Sequence, residues 1–223
     1  MRPARPGGRA LLVAAVAWML AACGNTPPAP DWQMNARNSM ERAQEAYLSG
    51  DGRVEAVEFA RARAEVARTG RADLLARIEL ARCATRVASL VLEACGGYAA
   101  LEQDAAAPER AYAAYLAGRA QAQDVPLLPE QHRALAAAGG AAAGALPAMQ
   151  EPLARLVAAG VLLQTGAADP AVITLAIDTA SAQGWRRPLL AWLGVQLQRA
   201  EQAGDGEAAA RVRRRMLLVT GAR

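Results

Sequence analysis

Few side chains in this sequence are of kinds that make or break bonds. It contains one histidine, His132, and three cysteines, Cys23, Cys83 and Cys95. A general base needs a partner that orients it and a substrate group within reach. Gln131-His132-Arg133-Ala134-Leu135 is a short polar stretch that offers neither, so His132 reads as a surface residue whose replacement by alanine is silent. One histidine and three scattered cysteines do not assemble the four ligands of a structural zinc site, and no metal is expected. Neither Gly-x-Ser-x-Gly nor Ser-x-x-Lys occurs. All 25 basic residues are arginine, so no lysine is present for a phosphate-binding loop. Glu102, Asp104 and Glu109 gather at a predicted helix start, where capping and the helix dipole account for acids. These residues support no catalysis and call for no cofactor.

Cys83 and Cys95 lie twelve positions apart. In one unbroken helix their Cα atoms would stand ~18 Å apart, whereas a disulfide needs less than ~7 Å. They pair if the helix breaks near Thr85–Ser89; otherwise both are small buried apolar residues. The spacing is not Cys-x-x-Cys, which argues against a redox-active pair. Arg211, Arg213, Arg214 and Arg215 form the densest charge run, with Val212, Met216 and Val219 on the other face. That pattern reads as a solvated helix face. The alternative is contact with anionic lipid headgroups, cell-wall polymer or an acidic partner.

The N-terminus carries an address. Residues 1–10 hold three arginines and no acid, and Ala10–Leu20 is an uncharged apolar run. Eleven residues are too few to cross a bilayer, where a helix needs ~20, so the pattern is that of a secretory signal. Leu20-Ala21-Ala22-Cys23 resembles the lipobox of bacterial lipoproteins. That resemblance implies cleavage before Cys23, lipidation of Cys23, and a membrane anchor of several acyl chains. Gly24 and Asn25 follow the cysteine where inner-membrane retention signals of this family place Asp, which implies the outer membrane and a body facing the periplasm. Removing residues 1–22 takes away Arg2, Arg5 and Arg9 and no acid, leaving 22 arginines against 21 acids. The mature chain thus has no field to attract nucleic acid. Residues 24–30, Gly-Asn-Thr-Pro-Pro-Ala-Pro, favour an extended tether of ~20 Å.

The elements that position these residues are helical. Alanine makes up 58 of 223 residues, Val and Ile together only 17, and Phe one. That balance favours helix over strand and predicts an all-α fold. Predicted helices span 31–48, 53–68, 72–95, 108–118, 129–138, 147–165, 169–183, 186–203 and 206–219, bounded by turn residues such as Ser49-Gly50-Asp51-Gly52 and Gly96-Gly97. The Ala- and Gly-rich stretch 139–146 reads as a linker between an N-terminal helical half, 31–138, and a C-terminal half, 147–223.

A repeat is visible in the second half. Leu156–Gln164 aligns with Leu190–Gln198 at an offset of 34 residues, with Leu156/Leu190, Gly160/Gly194, Val161/Val195, Leu163/Leu197 and Gln164/Gln198 identical. Gly160 and Gly194 would mark close helix crossings. The period, together with Trp192-Leu193-Gly194-x-x-Leu197 and the turn around Tyr47, Gly50-Asp51, Ala56 and Phe59, resembles the tetratricopeptide repeat. The resemblance implies stacked helical hairpins in a short solenoid; an irregular helical bundle is the alternative. It also implies a groove that binds peptide segments through first-helix side chains, with Tyr47, Gln164, Gln198 and Arg199 in the corresponding places. The expected function is a non-enzymatic, lipid-anchored scaffold or assembly factor that holds an envelope protein. A regulator of a cell-wall enzyme and a carrier of a small ligand or lipid are the alternatives.

Overall fold

Alanine, leucine and arginine lose little side-chain freedom in a helix, and this chain uses them wherever Gly and Pro do not intervene. The computed structural model describes residues 29–221; the expected signal segment, Cys23 and most of the expected tether lie outside them. Among the described residues there is no strand. The principal helices are α1 (Asp31–Ser49), α2 (Gly52–Ala67), α3 (Ala72–Ala88), α4 (Ala107–Leu116), α5 (Glu130–Ala137), α6 (Pro152–Gln164), α7 (Pro170–Gln183), α8 (Arg186–Gln202) and α9 (Gly206–Thr220). No helix among the described residues is long and apolar enough to cross a membrane.

Local chemistry sets several of the ends. Asp51, Glu151, Asp169 and Asp205 each accept hydrogen bonds from first-turn amides of α2, α6, α7 and α9. Gly184 and Gly221 close α7 and α9 in the left-handed conformation.

The end of α3 has another cause. Its apolar pattern runs on to Cys95, yet the helix stops at Ala88. Leu90 adopts φ +60°, and the Val91 amide reaches back to the Arg86 carbonyl at 2.9 Å. A left-handed leucine costs ~1–2 kcal/mol, so its surroundings must hold it. Leu90 packs on the core, and Trp192 of α8, fully buried, donates its indole N–H to the Ala88 carbonyl at 3.1 Å. The chain then doubles back, and Cys83 and Cys95 form a disulfide with Cα atoms 5.9 Å apart.

Helix α3 lies at the centre. It packs on α2, α4 and α6, while α6 continues through α7 and α8 to α9. The core joins Leu80 and Val87 of α3 to Leu156 and Val157 of α6, Ile177 of α7 and Leu193 of α8. The segment 139–146 is no spacer between two halves. It forms short helical turns that bury Ala142 and Leu146 in that same core, and Trp32–Arg223 is one compact unit.

Gly160 and Gly194 are not equivalent. A Cβ on Gly160 would stand 2.5 Å from the Val87 carbonyl oxygen, because α6 crosses α3 there. A Cβ on Gly194 would meet nothing within 4 Å, so the expected close crossing at that position is absent.

Arginine forks tie the first four helices together. Arg42 of α1 bonds Glu58 of α2 at 2.9 Å, Arg63 of α2 bonds Glu79 of α3 at 2.9 Å, and Arg82 of α3 grips both oxygens of Glu55 at 2.6 and 3.2 Å. Arg77 of α3 holds one oxygen of Glu109 of α4 at 2.7 and 3.0 Å. All four carboxylates are buried beneath more exposed guanidinium groups. Helices lined with alanine bring little apolar area to a contact, and a planar fork supplies directed bonds in its place.

Candidate functional site

A cleft of about 560 Å³ opens between α3, α4, α6 and the chain at 126–133. Its shape follows from residue size. Ala81 and Ala84 leave the α3 wall low. Pro126 and Pro129 prevent one helix from running through 122–137, so Leu127 and Leu128 form a separate wall. Arg133 donates to the Leu128 carbonyl at 2.8 Å and secures that wall. Tyr112, Leu153 and Val157 complete an apolar interior.

Two buried polar side chains border the cleft. Glu109 is 4% exposed; Arg77 takes one of its oxygens, and Oε2 has no hydrogen-bond partner. His132 is 1% exposed, and its Nδ1 also lacks a partner. Its ring packs on Tyr115, centroids 4.9 Å apart, and on Tyr112 at 5.7 Å. The expected surface histidine is thus a core residue, because α5 turns it inward onto two tyrosines. Burial pushes its imidazole down to about 4, so it is uncharged at neutral pH. Burial likewise pushes the Tyr112 and Tyr115 phenols up, so both stay protonated.

Charge in the cleft balances: Arg77 and Arg133 stand against Glu109 and Glu151. The lining contains no Ser, Thr, Cys or Lys. What it offers is apolar surface with a few hydrogen-bonding positions, the usual make-up of a binding pocket of this size. Among the described residues no three of His, Cys, Asp and Glu come together as metal ligands would.

The other candidate residues fall elsewhere. Tyr47 is buried, its ring between the guanidinium groups of Arg187 at 4.3 Å and Arg86 at 5.5 Å, so it is no surface contact. It serves instead to pin α1 to α8: its carbonyl accepts from Arg187 at 2.7 Å, and Glu45 accepts from the Trp185 indole at 3.0 Å. Gln164 is half-buried beside Gly118, whereas Gln198 and Arg199 are exposed. Arg199 donates to the Ala168 carbonyl at 3.2 Å. Glu102 and Asp104 are exposed and separate in environment from Glu109.

Sequence reasoning missed the cleft. The available signal was Pro126-Leu127-Leu128-Pro129, an apolar pair between two helix breakers. Such a pair cannot hide inside a helix and must find another surface to cover.

No protein-family model, no curated protein and no solved structure matches the chain.

Proposed function

We propose that this chain is a lipid-anchored protein of the bacterial outer membrane, facing the periplasm, whose helical body binds a segment of an envelope protein and catalyses nothing. The anchor rests on the ordered run of basic start, apolar stretch and Leu20-Ala21-Ala22-Cys23. A disulfide between Cys83 and Cys95 suits an oxidising compartment.

The observation that carries the binding role is the cleft, whose interior is apolar and whose one histidine is uncharged with Nδ1 unpaired. A base in that state has nothing to orient it and no nucleophile beside it. An apolar segment of a partner would cover Leu127 and Leu153, while hydrogen bonds at the rim fix its register. The same volume favours, as a second reading, a carrier of one small apolar ligand.

Two measurements test these claims. Cys23→Ser should abolish incorporation of labelled fatty acid and release the protein from membranes; unchanged labelling would remove the anchor. For the cleft, Leu153→Trp fills the space with a half-buried side chain and should weaken capture of the envelope partner about tenfold, the loss expected for ~1.4 kcal/mol of contact. Gln164→Ala, Gln198→Ala and Arg199→Ala together are the comparison. Should the triple change abolish capture while Leu153→Trp does not, the working surface lies at the helix ends. If neither variant alters capture, the scaffold reading fails.

A further inference from the structure

Helix α9 ends the described chain and uses little of its surface for the fold. It buries Ala209 and Val212, and Met216 and Val219 pack partly against the core. The opposite face is unusual. Leu218 is 83% exposed and Leu217 51%, the two most exposed large apolar side chains among the described residues. Both lie one turn beyond Arg214, at three and four positions, so the three side chains form one outward patch.

Charges on the same helix divide into two sets. Arg211 is paired with Glu207 and Arg213 with Glu201. Arg214 and Arg215 have no acidic partner among the described residues. Unpaired arginines next to solvent-facing leucines are the composition of helices that lie in a bilayer interface, apolar groups in the acyl boundary and cations on the headgroups. A second copy of this chain fits less well, since a two-fold contact through this face would set Arg214 and Arg215 against themselves.

We propose that the C-terminal end of α9 is a second membrane contact, with Leu217 and Leu218 seated in the interface of an anionic bilayer and Arg214 and Arg215 on its phosphate headgroups. The idea builds on the lipid-anchored reading, under which α1 would lie along the membrane, since Thr220 of α9 sits beside Gly50, at the other end of α1 from Asp31. Its function would be to fix how the body stands on that membrane, because a tether of seven residues alone leaves orientation free.

The test needs no acyl chain. Residues 32–223 close their own core, so the chain from Gly24 onward can be sedimented with vesicles of phosphatidylcholine alone or with about a third phosphatidylglycerol. Two arginines near an anionic surface predict roughly thirtyfold stronger partition to the charged vesicles, reversed by high salt. Arg214→Glu with Arg215→Glu should remove that preference. Leu217→Ser with Leu218→Ser should lower partition to both vesicle types. Arg214, Leu217 and Leu218 are exposed and Arg215 is half-buried, and circular dichroism checks that the variants fold. Equal partition of the wild type to both vesicles overturns the proposal. So does a preference that survives both double variants, which would be general attraction of a cationic surface. Self-association that the leucine variant abolishes, without vesicle binding, would assign the patch to a second copy and overturn the proposal as well. Fatty-acid labelling at Cys23 is read separately, so either claim can fail while the other stands.

Discussion

Gly160→Leu should lower the thermal midpoint by roughly 5–15 °C, while Gly194→Leu should leave it unchanged or raise it by a few degrees. The two glycines occupy the same place in the 34-residue alignment, and sequence alone treats them alike. At Gly160 any Cβ meets the Val87 carbonyl oxygen at 2.5 Å and the Val87 Cγ1 at 2.9 Å. The carbonyl belongs to the last turn of α3 and cannot swing aside as a side chain would, so α6 and α3 must separate. Overpacking of this kind costs ~1–3 kcal/mol, and displaced backbone puts Gly160 at or above the upper end. Leucine recovers up to ~1 kcal/mol in helix propensity, which does not offset it. At Gly194 the propensity gain stands alone, because nothing lies within 4 Å of the added carbon. Calorimetry of the two variants decides the matter. Equal losses at both positions would mean that α8 crosses a neighbour as closely as α6 does.

Unfolding free energy should fall by about 3 kcal/mol between pH 7 and pH 4 through His132 alone. The folded imidazole titrates at about 4 because burial disfavours its charged form, against an ordinary 6.5. Above pH 6.5 both states hold the ring neutral and the group contributes no slope. As the pH drops below 6.5 the unfolded chain takes up a proton that the folded chain refuses, so stability falls until the folded value is reached. His132 is the only histidine, so no other side chain of ordinary pKa titrates from pH 6.5 to 5. Glu58, held below the usual carboxylate range by its hydrogen bond from Arg42, adds its own loss only at lower pH. Urea midpoints measured across this range should therefore slope in the wild type and flatten in His132→Gln. Parallel curves would show that water reaches the ring. His132→Ala, silent if the residue were on the surface, should instead cost ~2–4 kcal/mol by emptying the space beside Tyr112 and Tyr115.

Whatever depends on neighbours a few residues apart was legible in the sequence. Scarce β-branched residues and abundant alanine meant helices, and Asp51, Asp169, Asp205, Gly184 and Gly221 end them where capping chemistry requires. The resemblance of Leu20–Cys23 to a lipobox rests on short linear order alone, and those residues lie outside the described ones.

Tertiary structure decided the rest. Trp192 caps α3 from 104 residues away, Arg77 reaches Glu109 across 32, and α5 turns His132 onto Tyr115 rather than toward water. In a chain so rich in alanine, many helix faces look equally apolar, and periodicity cannot say which face meets which. Only close packing discriminates, because a carbonyl 2.5 Å from one glycine's absent Cβ and empty space beside another are properties of the neighbour, not of the glycine.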